Sequence, residues 1–101
     1  MQNHIDVQGA SGTSYRFRIW PADGEHAPMP GNFVFVRMGP GAWTVVYSGE
    51  VHDLSTAPAA WAEARDAHGA THIYTRLNVS GAIRREEQAD IVARWRPPMN
   101  G

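Results

Sequence analysis

The chain contains no cysteine and no lysine. Without thiols it can form neither a disulfide nor a thiolate metal site, which suits a cytosolic protein and makes the cytoplasm the expected location. Without lysine, all nine basic side chains are arginines, and ten acidic residues offset them to a net charge of −1. No overall electrostatic pull toward nucleic acid follows, so any such contact has to come from a local patch. No apolar run approaches the length of a membrane span or a signal peptide, and no membrane partner is expected. Internal repeats, low-complexity tracts and charge blocks are missing as well. What is present is a chain of 101 residues, 43% hydrophobic and with four tryptophans, which fits one small domain around a single core.

The first segment places a polar turn, Gly9-Ala10-Ser11-Gly12, between residues 4–8 and 14–20. In the second of these stretches Tyr15, Phe17 and Ile19 alternate with Ser14, Arg16 and Arg18, the period of a half-buried strand, so a hairpin is expected. Proline and glycine crowd residues 21–31 and mark a connecting loop. Phe33-Val34-Phe35-Val36 reads as a strand, Gly39-Pro40-Gly41 as a turn, and 43–47 as the antiparallel partner, both strands apolar enough to be central. Alanine-rich residues 58–68 carry Trp61, Ala64 and Ala67 near helical spacing, with Gly69 placed to stop the helix. Residues 70–77 return as a strand, parallel or antiparallel to the hairpin. Ser80 or Gly81 caps a last helix running to about Arg96, where Pro97 and Pro98 end it. The expected fold is α+β: a small, mainly antiparallel sheet of three or more strands flanked by two main helices, with an N-terminal β-hairpin extension. Residues 1–101 form a single domain, divided into a hairpin and loop at 1–29 and a core at 30–101.

The last helix carries the sharpest physical clue. At about 100° per residue, Ile91, Val92 and Trp95 form one apolar stripe, Gln88 lies near its centre, and Arg84 sits one turn earlier. Glu86 and Glu87 point elsewhere and cannot replace Gln88. An inward amide either bonds a strand backbone at the rim of the core or occupies an altered active-site position.

The order of these features resembles the GIY-YIG nuclease superfamily, and in particular its small bacterial members. The motif Gly31-Asn32-Phe33 stands at the first signature, Tyr47-Ser48-Gly49 at the second, and then follow a helix, the 70–77 strand, the last helix and the terminal Pro97-Pro98-Met99-Asn100. The resemblance begins at Pro30 and leaves the N-terminal hairpin outside the shared core. It implies cleavage of DNA phosphodiesters with one divalent metal held by a glutamate, tyrosines that orient or deprotonate water, and an arginine that steadies phosphate. Tyr47 matches the second-motif tyrosine and Asn100 the terminal asparagine. Phe33 stands where the first-motif tyrosine would be and lacks its hydroxyl. Gln88 replaces the metal-binding glutamate, and a neutral amide is a poor ligand for a hard divalent cation. The arginine that usually follows the second motif has no counterpart in Ser55-Thr56-Ala57-Pro58.

Loss of one charge-stabilising group commonly costs on the order of a hundredfold or more in rate, and three roles are altered at once. The expectation is therefore a degenerate, non-cleaving domain whose altered site comprises Tyr47, Phe33, Gln88, Asn100 and Arg84, with no metal and no cofactor. The alternative is an active magnesium- or manganese-dependent endonuclease in which Arg84 and Glu50 replace the lost groups. If catalysis is lost, two partner classes remain. DNA would be held through Arg84, Arg85, Arg94 and Arg96, with Arg16 and Arg18 from the hairpin. Another protein would be engaged through the cleft or through Trp20, Trp43 or Trp61. His52, His68 and His72 lack the spacing of a zinc site, and no nucleophile elbow accompanies Ser48 or Ser55.

Overall fold

The computed structural model describes residues 3–101. The first two residues of the expected single domain lie outside the described residues. Strands β1 (His4–Gln8) and β2 (Ser14–Ile19) pair antiparallel, and in both the buried positions alternate, with Tyr15 and Phe17 facing inward. The period-2 pattern thus translates directly into one covered face. Strands β3 (Gly31–Gly39) and β4 (Ala42–Val51) form the second antiparallel pair, with a register shift between Phe35 and Val36. The first six residues of β3 are all buried, so both of its faces are covered.

Strand β5 (His72–Leu77) runs antiparallel to both β2 and β3 and joins the two hairpins into one sheet in the order β1-β2-β5-β3-β4. This settles its direction and makes five strands rather than the minimum of three. The N-terminal hairpin is a continuation of the sheet, attached through Arg18 opposite Thr75 and Ile19 opposite Tyr74.

Helices cover the two faces. Residues Leu54–Ala60 form a 3-10 helix with Pro58 inside it, and α1 (Trp61–His68) follows. The α-helix therefore starts three residues later than the alanine content suggests. Asp53 begins the 3-10 segment by accepting the Ser55 N–H at 2.9 Å, and Gly69 ends α1 with a left-handed φ of 71°. Helix α2 (Gly81–Trp95) starts at Ser80, whose hydroxyl accepts the Ile83 N–H at 3.3 Å. It stops at Arg96 in left-handed geometry, after which Pro97 cannot extend it.

The alternation of β3 divides the core in two. Val34 and Val36 face α2 with Ile5, Val7, Phe17, Tyr74 and Ile91, while Phe33 and Phe35 face α1 with Val46, Leu54, Ala57 and Ala64. Trp61 packs on the second cluster as its spacing predicts, whereas Ala67 is exposed. Among the described residues no helix is long and apolar enough to cross a membrane.

Candidate active-site region at strand β4

The two aromatic-glycine motifs lie side by side because β3 and β4 pair Phe33 with Gly49. The Phe33 ring crosses directly over Gly49, where a Cβ would stand 2.4 Å from Cζ of the ring. Glycine is required there by close approach rather than by an unusual dihedral angle. Gly31 is confined in the same way, since a Cβ would meet the Arg76 carbonyl oxygen at 2.2 Å. Phe33, Phe35 and Tyr47 form an aromatic group with centroid separations of 5.4 to 5.7 Å, and Trp61 meets Phe35 edge-on at 5.3 Å. Tyr47 is half-buried, and its hydroxyl makes no hydrogen bond among the described residues.

One residue further, the backbone of Ser48 gathers the other motif positions. Its N–H donates to Asn100 Oδ1 at 2.8 Å, and its carbonyl accepts both Asn100 Nδ2 and Gln88 Nε2 at 2.9 Å. Asn100 is delivered by a 3-10 turn at Pro98–Asn100, and Gln88 by the face of α2 turned to the sheet. The structure thus brings Gln88 and Asn100 together beside Tyr47, while the Tyr47 ring lies with Phe33 on the α1 side. Because the Ser48 carbonyl can only accept, the Gln88 amide presents its N–H₂ here. The Ser48 hydroxyl is fully buried and has no hydrogen-bond partner among the described residues.

These residues do not fit a divalent cation. Gln88 is neutral and engaged with a carbonyl, both ends of the Asn100 amide are bound to Ser48, and none of these side chains supplies the carboxylate oxygen that commonly anchors a hard cation. Among the described residues no three histidine or carboxylate side chains form a cluster that could hold a metal.

Arg84 is buried, at 7% exposure, and held through Nε and Nη1. Its Nε donates to Glu50 at 3.0 Å, and Nη1 donates to the carbonyls of Asn78 at 3.1 Å and Val79 at 2.9 Å. The two residues expected to compensate for missing catalytic groups are therefore bound to each other. Arg85, Arg94 and Arg96 are exposed, with Arg94 over the Trp95 ring at 5.9 Å. Nine residues at about 100° each turn Arg85 and Arg94 to opposite sides of the helix, so the four arginines make no continuous stripe.

Sequence reasoning missed a chain of polar contacts across the α2 side. Asn32 donates to the Arg84 carbonyl at 2.9 Å and accepts from Asn78, which also donates to Glu87, and Arg76 pairs with Glu87 at 2.9 Å. Asparagine inside a strand, as at Asn32, was the available signal, because such residues are depleted there unless they bond something. Asp90 accepts the Tyr15 hydroxyl at 2.6 Å and both the N–H and hydroxyl of Ser11, at 2.8 and 2.6 Å. The Ser11 hydroxyl, then the Tyr15 phenol and the Ser11 N–H, hold its carboxyl below the usual carboxylate range. Burial first, and then the bond to Asp90, push the Tyr15 phenol up.

No family model and no curated protein sequence matches the chain. Its structure is similar to the crystal structure of the GIY-YIG N-terminal endonuclease domain of UvrC from Thermotoga maritima, a tyrosine-to-phenylalanine point mutant bound to the catalytic divalent cation. The TM-score is 0.59 at 21% identity, covering 78% of this chain and 91% of that one. The chain has a GIY-YIG-like fold.

Proposed function

We propose that this chain is a GIY-YIG-like domain that does not cleave DNA and serves as a binding module. The observation that carries the reading is the Gln88 amide, which donates to the Ser48 carbonyl at the position where the family resemblance expects a metal-binding carboxylate. Two further features support it. Phe33 brings no hydroxyl to the aromatic group, and Asn100 holds the Ser48 backbone at both ends. An endonuclease built instead on Arg84 and Glu50 has to release Arg84 from Glu50 and from two carbonyls, leaving buried polar groups unpaired. Of the two partner classes, DNA receives the weaker support from α2, since Arg84 is buried and the exposed arginines diverge around the helix. The thiol-free composition is consistent with a cytoplasmic setting.

A plasmid-nicking assay with magnesium and with manganese tests this. The expected result is no nicking above the protein-free control with either metal. Nicking that disappears in Tyr47→Phe overturns the reading.

A further inference from the structure

A second feature lies at the opposite end of the sheet from Tyr47, Gln88 and Asn100. Strands β2 and β5, the end of β1 and the loop from Pro21 to Met29 enclose a cleft of about 470 Å³. Arg16, Arg18, Arg76, His4 and His26 line it and no aspartate or glutamate does, while the Arg76 guanidinium is paired with Glu87 on α2 and lies over the Tyr15 ring. Two exposed arginines, Arg16 and Arg18, thus stand at one cleft free of acidic lining on a molecule whose net charge is −1. Arg18 makes no ion pair or side-chain hydrogen bond among the described residues. Arg16 meets Asp6 only across an exposed pair, at 3.2 Å with side chains 68% and 54% accessible, which an arriving carboxylate can share at little cost.

The loop wall is held in place. His26 bonds the Ala27 carbonyl at 2.8 Å and the Thr75 hydroxyl at 2.9 Å, and its ring lies 5.2 Å from that of Trp20. The remaining lining is aliphatic. Met29 and Leu77 are 41% and 58% exposed, and the other exposed large apolar side chains among the described residues, Val79 and Ile83, follow Leu77 just before α2 and in its first turn. A concentration of exposed apolar groups at one end of the molecule marks an interaction surface.

From this arrangement we infer that the cleft docks an acidic peptide segment of a partner protein, with carboxylates on Arg18 and Arg16 and an aliphatic side chain on Met29 and Leu77. Guanidinium groups match carboxylates in geometry and charge, and the volume lies in the range of pockets that take a drug-sized ligand. Single-stranded nucleic acid is the poorer occupant. Sites for it combine a basic groove with aromatic platforms for the bases, whereas no tryptophan, tyrosine or phenylalanine lines this cleft. The inference deepens the binding-module reading but uses none of the residues at β4, so the nicking assay and the following experiment can fail separately.

The probe is a short fluorescent peptide rich in glutamate and leucine, followed by anisotropy at low salt, with Glu-to-Gln and Leu-to-Ser versions and a single-stranded oligonucleotide as comparisons. The acidic, leucine-bearing peptide is expected to bind, and both altered peptides to bind more weakly. Arg18→Glu and Leu77→Ser alter exposed side chains and are each expected to weaken binding about tenfold. Arg65→Glu, on α1, is expected to leave it unchanged, and circular dichroism checks that all three fold. Absence of peptide binding, equal binding of the Glu-to-Gln peptide, or equal effects of Arg18→Glu and Arg65→Glu overturn the inference. Tighter binding of the oligonucleotide, lost in Arg18→Glu, replaces the peptide with nucleic acid.

Discussion

Replacing Arg84 by methionine separates a structural arginine from a catalytic one. Methionine keeps much of the buried stem and removes the bonds to Glu50, Asn78 and Val79. Breaking a buried ion pair by deleting one partner typically costs about 3–5 kcal/mol, because a charge is left without compensation. The Glu50 side chain is 23% exposed and can recover part of its hydration, which favours the lower end. The two abandoned carbonyls act in the opposite direction. A loss of about 3 kcal/mol results, equivalent to roughly 12–24 °C in Tm for a domain of this size. Equilibrium urea unfolding, followed by tryptophan fluorescence, should show a lowered midpoint with an unchanged slope. Glu50→Gln retains an acceptor and should cost only about 1 kcal/mol. The double variant Arg84→Met/Glu50→Leu should be more stable than Arg84→Met, since the stranded carboxylate is gone. A change within about 0.5 kcal/mol of the parent for Arg84→Met refutes the reasoning, as does a double variant no better than the single one.

Other perturbations test other contacts. Asn100→Ala should cost about 1–2 kcal/mol by urea unfolding, and Asn100→Asp more at neutral pH, because a carboxylate oxygen would then face the Ser48 carbonyl. Gly49→Ala should destabilise by about 1–3 kcal/mol through collision with the Phe33 ring, and the same change made in Phe33→Leu should cost less, a double-mutant cycle that reads the contact itself. The depressed carboxyl of Asp90 contributes stability that is present above the unfolded-state value of about 3.9 and is lost as pH falls through the lower folded-state value. Thermal melts below about pH 4 should therefore fall less steeply with acidification in Asp90→Asn than in the parent.

Strand alternation, the hairpin turns, both helix stops and the inward direction of Gln88 were legible in the sequence, because each depends on neighbours within a turn or a strand. The position of β5 between β2 and β3 was not, since nothing local distinguishes a strand that joins two hairpins from one that flanks them. The 3-10 start at Leu54 was hidden for a related reason: Pro58 is compatible with a helix start, and the Asp53–Ser55 bond that begins the segment earlier is visible only in three dimensions. The motif comparison expected Gln88 and Asn100 near Tyr47; the two amides meet on the Ser48 backbone, and the Tyr47 ring lies with Phe33 on the α1 side. What it could not convey was where Arg84 is held. Its acceptors are Glu50 on a distant strand and two loop carbonyls, a pairing set by tertiary contact rather than by spacing.

The double bond between Asn100 and Ser48 also bears on how the molecule avoids itself. β4 is an outer strand of the sheet, and an outer strand offers unpaired N–H and C=O groups on which another chain can add a strand. The carboxamide of Asn100 imitates one peptide unit of such a neighbour, donating and accepting at the same residue, and Gln88 adds a second donor above it. A version of the chain cut before Asn100 would open that stretch of β4, and the visible result would be concentration-dependent edge-to-edge self-association before any loss of the fold.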